Sequence, residues 1–468
     1  MISTRLFLRN MRPGWACPGH SVFHQQACST ITTTTVSSPR PATATATCIH
    51  TSICSSRRSY HELSYRERGE PLQVLEYFAS KEDDNLEEDD TNTEDDHLVK
   101  VEMLHAPWNP ADMNTIQGKY PSPLQHPIPQ PSSCRVSSPG QEEDWRVAGS
   151  EGWGRIVETK TKKKDNSVDL YSPGTYVTMG QSGLGTFRSS LWLPTRALIP
   201  ITRGHELFVS SSSSSSNDKA AAIASLFQLG GTAWRMLSDF QDLPDHPCII
   251  LQNAGNSGVG RMVSQLAGLV HNYTNQRNVR VISLVRRGTK SEQEFAELKQ
   301  SLTQQPSATS TGSCTTEVIA EEDLLNDKEA LKALQASFGT TPPRLAINAV
   351  GGSSASLLLK LLAPGGTMVT YGGMSMQPVT VATPQLIFKD ISIRGYWHSR
   401  WMAKAFVRQK QQLVNELVNA VLDHQIVLPP VQVFALSQVQ EALEFEAQQS
   451  TEAVRRKVVF DCQRTQNP

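Results

Sequence analysis

The chain has 468 residues, 38% of them hydrophobic and 19% charged, with a formal net charge of −1. That length fits two or three domains, and the composition supports a packed core rather than global disorder. No apolar run reaches the roughly 18 residues of a membrane-spanning helix, and the near-zero charge argues against a mainly electrostatic nucleic-acid binder. The charge is unevenly spread. Residues 1–61 carry six Arg, no Lys and no acid, whereas 62–468 hold 38 basic and 45 acidic residues, a net of −7.

Taken from the start, Arg5, Arg9, Arg12, Arg40, Arg57 and Arg58 stand in a segment where 15 of the 28 residues from Ser29 to Ser56 are Ser or Thr. An Arg-rich, Ser-rich, acid-free stretch of this kind reads as a mitochondrial presequence over residues 1–60, directing the protein to the matrix. A plain disordered tail is the competing reading. Cys17, Cys28, Cys48 and Cys54 lie in this stretch. Cys134, Cys248, Cys314 and Cys462 are widely spaced with no CxxC pair, so neither a disulfide framework nor a structural zinc site is legible.

Residues 63–78 and 98–104 read as strands. The acidic run 82–96 between them, the Pro- and Ser-rich stretch 121–145 and the seven serines at 210–216 read as surface loops. From residue 220 the pattern changes. A helix is expected over 220–240, an apolar strand at 248–251, a helix at 261–270 and a strand at 279–285. Strands at 344–350, 367–371 and 391–397 follow, with a helix at 355–362. Short apolar strands alternating with helices indicate a parallel sheet covered on both faces. A long amphipathic helix is expected at 405–423, with Leu413, Leu417 and Val421 on its buried face, and a last strand at 458–460.

The segment CIILQNAGNSGVGRMVSQLA reads as strand, tight turn and helix. Dinucleotide sites need that order, because backbone N–H groups and a helix N-terminus must approach the pyrophosphate. The close-packed positions of the turn are Ala254, Ser257 and Gly260, with Gly258 adding backbone freedom. At the end of the next strand, Arg286 and Arg287 stand where an acid would select NAD. Arginine pairs well with a 2′-phosphate, so NADPH is the expected cofactor.

The stretches APWNPADMNTIQGKY, GSEGWGRIVE, GLGTFR, QNAGNSGVG, NAVGG, GGTMVTYGGMSMQPV and IFKDISIRGYWHSRW together resemble the mitochondrial enoyl-acyl-carrier-protein (trans-2-enoyl-CoA) reductases. These form a zinc-independent branch of the medium-chain dehydrogenase/reductase superfamily. The resemblance implies an α/β protein with a Rossmann cofactor domain (220–400) inserted in a GroES-like, mainly-β catalytic domain. The first part of that domain would be 61–219, and 401–468 would return to it. It also implies an NADPH-dependent homodimer that reduces the 2,3 double bond of an enoyl thioester carried on acyl carrier protein or CoA.

By the same resemblance, Tyr120 is the proton donor. Asn256, Ser257, Gly258 and Val259 would lie on the pyrophosphate, and Arg286 and Arg287 on the 2′-phosphate. Tyr371, Gly372, Gly373 and Met374 would border the nicotinamide from one strand end, with Tyr396, Trp397 and His398 doing so from another. Lys457 matches a cofactor-contacting lysine. The chemistry asks for these roles: hydride addition at the β-carbon leaves an enolate-like thioester, whose α-carbon needs a proton and whose oxygen needs hydrogen-bond donors.

Departures from the family pattern are as informative. The family commonly has Asn-Pro-Cys before the Thr-Ala-Tyr of its central helix, where this chain has Leu229, Gly230 and Gly231 before Thr232, Ala233 and Trp234. Gly288 stands where a third arginine is common, and His398 replaces an apolar residue. Zinc-dependent relatives carry a His where this chain has Ser150, and no Cys accompanies Asp112, so no metal is expected and Glu151 reads as structural. Two rival functions remain, an NADPH quinone oxidoreductase of the same superfamily and a catalytically silent binding protein. An acidic carrier protein would need a local basic patch, for which Lys160–Lys164 is a candidate.

Overall fold

The structure is a computed structural model that describes residues 59–81, 97–120, 145–160, 168–211, 217–241, 247–270, 279–303, 314–449 and 455–464. The arginine-rich leader, the acidic run, the stretch 121–144 and residues 161–164 lie outside the described residues, as does most of the serine run.

Six strands form one parallel sheet in the order Cys314–Ala320, Val279–Val285, Cys248–Asn253, Leu345–Asn348, Thr367–Thr370 and Ser392–Gly395. In chain order the sheet grows in one direction from Cys248–Asn253 and then reverses, which is the Rossmann order with its switch point beside that strand. Cys248–Asn253 is buried along its whole length, as expected of a strand covered on both faces. Its side chains alternate between two cores. Ile250 joins the cluster with helices Leu226–Ser238 and Gly258–Val270, while Ile249 and Leu251 join the cluster with helix Gly352–Leu361.

The other large sheet has seven strands. Its path runs Val431–Ala435, Lys457–Asp461, Leu98–Pro107, Trp153–Lys160, Tyr176–Met179 and Leu198–Pro200, and Ser190–Pro194 also pairs with Leu98–Pro107. Apart from the first pair it is antiparallel. The chain therefore leaves this sheet after Leu198–Pro200, builds the parallel sheet, and returns for two strands. Phe460 from the return packs edge-on against Phe187, with ring centroids 5.1 Å apart.

Three expectations need correction. Residues 63–78 are not one strand: Ser59–Tyr65 and Glu76–Lys81 pair antiparallel around a short helix, Pro71–Val74. Pro71 suits the first helical turn, where its missing N–H costs nothing. The helix expected over 220–240 is two helices, Asn217–Ile223 and Leu226–Ser238. The break comes where Ala224 and Ser225 bond three residues back and Ser225 Oγ donates to the Ala222 carbonyl at 2.9 Å, a local alternative to the helical ladder. Finally, strand Cys314–Ala320 and helices Glu292–Thr303 and Lys328–Ala336 had no counterpart in the sequence reading.

Candidate active site

The parallel strands end in a lock of neutral polar groups. Asn253 Nδ2 donates to Asn348 Oδ1 at 2.8 Å and to Ser354 Oγ at 2.9 Å, and its Oδ1 accepts the Ala349 N–H at 2.7 Å. Gln252 Nε2 donates to Ser283 Oγ at 2.7 Å and Ser264 Oγ at 2.9 Å. All these side chains are buried, so their bonds fix neighbouring strand ends against one another.

The glycine turn grows from this lock. Ala254 takes a left-handed φ of 50°. A Cβ at Gly255 would lie 2.6 Å from Ser283 Cβ, and one at Gly260 would lie 2.5 Å from the Ala254 carbonyl oxygen. Those contacts explain why glycine occupies both positions. Ser257 Oγ accepts the Gly260 N–H at 3.1 Å and so caps helix Gly258–Val270. Ser257 also hydrogen-bonds Tyr371, whose phenol burial pushes up to about 12. Asn256, Ser257, Gly258, Val259 and Tyr371 thus come together at one helix N-terminus. Gly372 and Gly373 continue past Tyr371, where a Cβ at 373 would meet nothing within 4 Å. Met374 is 65% exposed, and its N–H donates to the Ala349 carbonyl at 3.0 Å.

The two arginines part company. Arg287 is turned to its own neighbours: it pairs with Glu292 at 2.9 Å and Asp323 at 3.0 Å, and lies over the Phe295 ring at 5.1 Å. Arg286 is exposed. The arrangement fits NADPH on its own geometry. The turn has no room for extra Cβ atoms at Gly255 and Gly260, its helix end carries partial positive charge, and an exposed guanidinium stands at the adjacent strand end. Leu229 completes the turn, since a Cβ on Gly258 would come within 2.9 Å of its Cδ1.

The seam between the two sheets holds a different kind of chemistry. Glu151 accepts the Gln228 N–H at 2.7 Å through Oε1 and Asn109 Nδ2 at 3.0 Å through Oε2. Gln228 lies in the first turn of helix Leu226–Ser238, so a carboxylate from one sheet anchors a helix of the other. Asn109 in turn donates its N–H to Asp112 Oδ2 at 2.9 Å. Burial pushes the Glu151 carboxyl up to about 7 and the Asp112 carboxyl up to about 6. Lys457 lies close to Glu446, Glu151 and Asp112, and burial holds its ammonium below the usual lysine range. Lys457 thus belongs to this cluster of acids. Among the described residues no group of three or more His, Cys, Asp or Glu is placed to hold a metal ion.

The same seam contains a small cleft of about 30 Å³ whose lining includes Glu151, Gln228, Ser182, Phe227, Met402 and His398. Tyr396 is buried and its hydroxyl meets His398 Nδ1 at 2.8 Å. Trp397 is 41% exposed, with the Arg400 guanidinium 5.2 Å from its ring centroid. Tyr120 follows helix Pro110–Ile116, its N–H on the Asn114 carbonyl at 3.3 Å and its side chain 43% exposed. Asn109 and Gln228 escaped the sequence reading. Asn109 lies within the quoted NPAD stretch, but its partners Glu151 and Gln228 are 42 and 119 residues away along the chain.

A Rossmann sheet inserted in a β domain, with a capped glycine turn facing a polar seam, defines a nucleotide-dependent dehydrogenase or reductase of the two-domain, medium-chain type. Comparison with known proteins agrees. A family model described as zinc-binding dehydrogenase matches residues 310–416. The mouse (Mus musculus) protein named mitochondrial enoyl-[acyl-carrier-protein] reductase is 32% identical over 383 residues, covering 82% of this chain and 84% of that one. The chain belongs to the family of mitochondrial enoyl-[acyl-carrier-protein] reductases. Among solved structures, the mitochondrial 2-enoyl thioester reductase heterodimer of Candida tropicalis superposes with a TM-score of 0.64 at 24% identity, over 86% of this chain and 99% of that one. A complex of Etr1p with NADP and crotonyl-CoA superposes with a TM-score of 0.64 at 22% identity, with the same coverage.

Proposed function

We propose that this chain reduces the 2,3 double bond of trans-2-enoyl thioesters with NADPH, in mitochondrial fatty-acid synthesis. The observation that carries the reading is kinship with mitochondrial enoyl reductases across 82% of the chain. It is supported by a glycine turn and an exposed Arg286 that suit NADPH. Bound NADPH supplies the hydride for the β-carbon. Asn256, Ser257, Gly258 and Val259 hold the pyrophosphate at the helix N-terminus, Arg286 selects the 2′-phosphate while Arg287 stays with Glu292 and Asp323, and Lys457 supports the site from the seam. Tyr371, Gly372, Gly373 and Met374 bound the nicotinamide face, with Tyr396, Trp397 and His398 on its other side. Tyr120 donates the proton to the α-carbon, its exposed position leaving the phenol open to substrate and to reprotonation from solvent. The catalytic domain comprises 61–219 and 401–468, and the cofactor domain 220–400.

Two finer readings concern partners. The edge strand Ser392–Gly395 is exposed along its length. Ile387, Phe388 and Met376 nearby are 65%, 78% and 81% exposed. An open edge of this sort suits a second copy of the chain and supports reading the protein as a homodimer. Lys160 survives in the described residues as one member of the lysine candidate for carrier-protein docking. Arg394, Arg400, Lys404 and Arg408 give a second basic surface, all exposed and with no acid among residues 392–412. Acyl carrier protein is the physiological thioester donor on this reading, in the mitochondrial matrix, to which residues 1–60 direct the chain.

The test is NADPH oxidation by the protein with a trans-2-enoyl thioester, alongside Tyr120→Phe. The variant should lose about 100-fold in kcat. Turnover of quinones without turnover of thioesters would overturn the proposal, and turnover of neither would favour a silent binding protein.

A further inference from the structure

Arg287 is spent on Glu292 and Asp323, so the pair of arginines at the strand end offers a 2′-phosphate only one open guanidinium, that of Arg286. Glu321 lies near Arg286, and Glu294 lies near Lys290, the next cation along the chain. A second cation free of acids has to come from outside this strand end.

Arg261 has the required features. It stands in the first turn of helix Gly258–Val270, which holds no acid. Side chains on a helix lean toward its N-terminus, and this one does. Nε donates to the Asn256 carbonyl in the glycine turn and Nη2 donates to Ser301 Oγ, both at 3.4 Å. Both acceptors are neutral, and both bonds are at the long limit for hydrogen bonding. Arg155, Arg203, Arg235, Arg280 and Arg287 are half-buried too, and each pairs with a carboxylate. Among the described residues, Arg261 is the half-buried arginine that lacks one. Burial pulls its guanidinium below the ordinary arginine value with no acid opposing. A cation without a counter-charge is unfavourable in a partly buried place, and more so at a helix N-terminus, where partial positive charge already collects. Both costs vanish when an anion arrives.

The position says which anion. The Gly255 N–H donates to the Leu284 carbonyl at 3.4 Å, which joins the turn to strand Val279–Val285 two residues before Arg286. Arg261 borders this junction from the helix side, and Arg286 follows it on the strand side. A dinucleotide with its pyrophosphate on the turn lays its adenosine ribose over the end of the next strand, so the 2′-substituent falls at the junction. We infer that Arg261 is the second guanidinium for the 2′-phosphate of NADPH, acting with Arg286 in place of the committed Arg287. On binding, its planar fork exchanges two long neutral bonds for charged ones to phosphate oxygens. NADH brings no anion to this spot and leaves the cation uncompensated. The inference deepens the NADPH reading and rests on it.

The experiment titrates NADPH and NADH into the full chain by cofactor fluorescence, with no turnover required. Arg261→Gln should weaken NADPH about tenfold or more, the size of one lost charge-assisted bond, and should change NADH less than about twofold. Arg261→Lys keeps a point charge without the fork and should recover part of the NADPH affinity. Arg287→Gln and Lys290→Gln should shift the NADPH-to-NADH ratio less than about threefold, as exposed partners predict. Without cofactor, Arg261→Gln should melt at or above the parent temperature, because it removes an unpaired cation from a helix N-terminus. Equal weakening of both cofactors would overturn the inference, as would parent-like NADPH binding in Arg261→Gln or a larger ratio change in Arg287→Gln or Lys290→Gln. If the parent itself does not prefer NADPH to NADH, the cofactor reading fails instead, and the parent titration shows this before any variant is made.

Discussion

The strand ends of the parallel sheet and the seam between the sheets are both buried and polar, yet they use opposite chemistry. At the strand ends, Asn253, Asn348, Gln252 and three serines bond to one another as neutral groups. At the seam, Glu151 and Asp112 are buried and ionisable, with the half-buried Lys457 beside them. A neutral network holds its geometry at any ordinary pH, whereas buried ionisable groups make the joint answer to pH. The cofactor turn is thus mounted on the insensitive region, and the joint between the sheets on the responsive one.

The strongest way to break this contrast is Asn253→Ala. It removes two donated bonds and one accepted bond and leaves buried partners unsatisfied. It should cost about 3 kcal/mol by urea unfolding, taking roughly 1 kcal/mol per bond, and the loss should be the same at pH 5 and pH 8. At the seam, Glu151→Ala orphans the Gln228 N–H and should cost about 2 kcal/mol.

Glu151→Gln sharpens the comparison further. A carboxyl raised to about 7 in the folded state stabilises the fold fully below the unfolded value near 4.5. That stability is lost as pH rises through 7. The parent melting temperature should therefore fall between pH 5 and pH 8, and the Gln variant should show a shallower fall. An equal slope in both would remove Glu151 as the source. Asp112, raised in the same direction, contributes the slope that remains.

Smaller effects test the turn. Gly258→Ala brings a Cβ within 2.9 Å of Leu229 and should weaken NADPH about tenfold, and Leu229→Ala in the same chain should restore much of it. Arg287→Ala should cost under about 1 kcal/mol, since its carboxylate partners are exposed. Arg286→Ala should weaken NADPH but not NADH, by a titration of both cofactors.

Much of this was legible in the sequence because it is local. The strand–turn–helix at the glycine turn lies within twenty residues, and Gly and the apolar period mark it plainly. The strand Cys314–Ala320 was not legible because it is the outer strand of its sheet, with only Val318 and Ala320 fully buried. Its CTTEVIA pattern therefore lacks an apolar run. The seam was illegible for another reason. Glu151 was visible only as a residue without zinc partners, because its meeting with Gln228 and Lys457 depends on the chain's return to its first large sheet. Arg286 and Arg287 looked equivalent as neighbours, and only the positions of Glu292 and Asp323 separate them.

The central claim is that the cofactor lobe delivers hydride to the β-carbon while Tyr120 passes a solvent-derived proton to the α-carbon. Product from NADPH deuterated at its transferable position should carry that deuterium at the β-carbon alone. Product formed in deuterated water should carry deuterium at the α-carbon, and Tyr120→Phe should slow formation of both. Cofactor deuterium at the α-carbon, or Tyr120→Phe turning over as fast as the parent, would contradict the account.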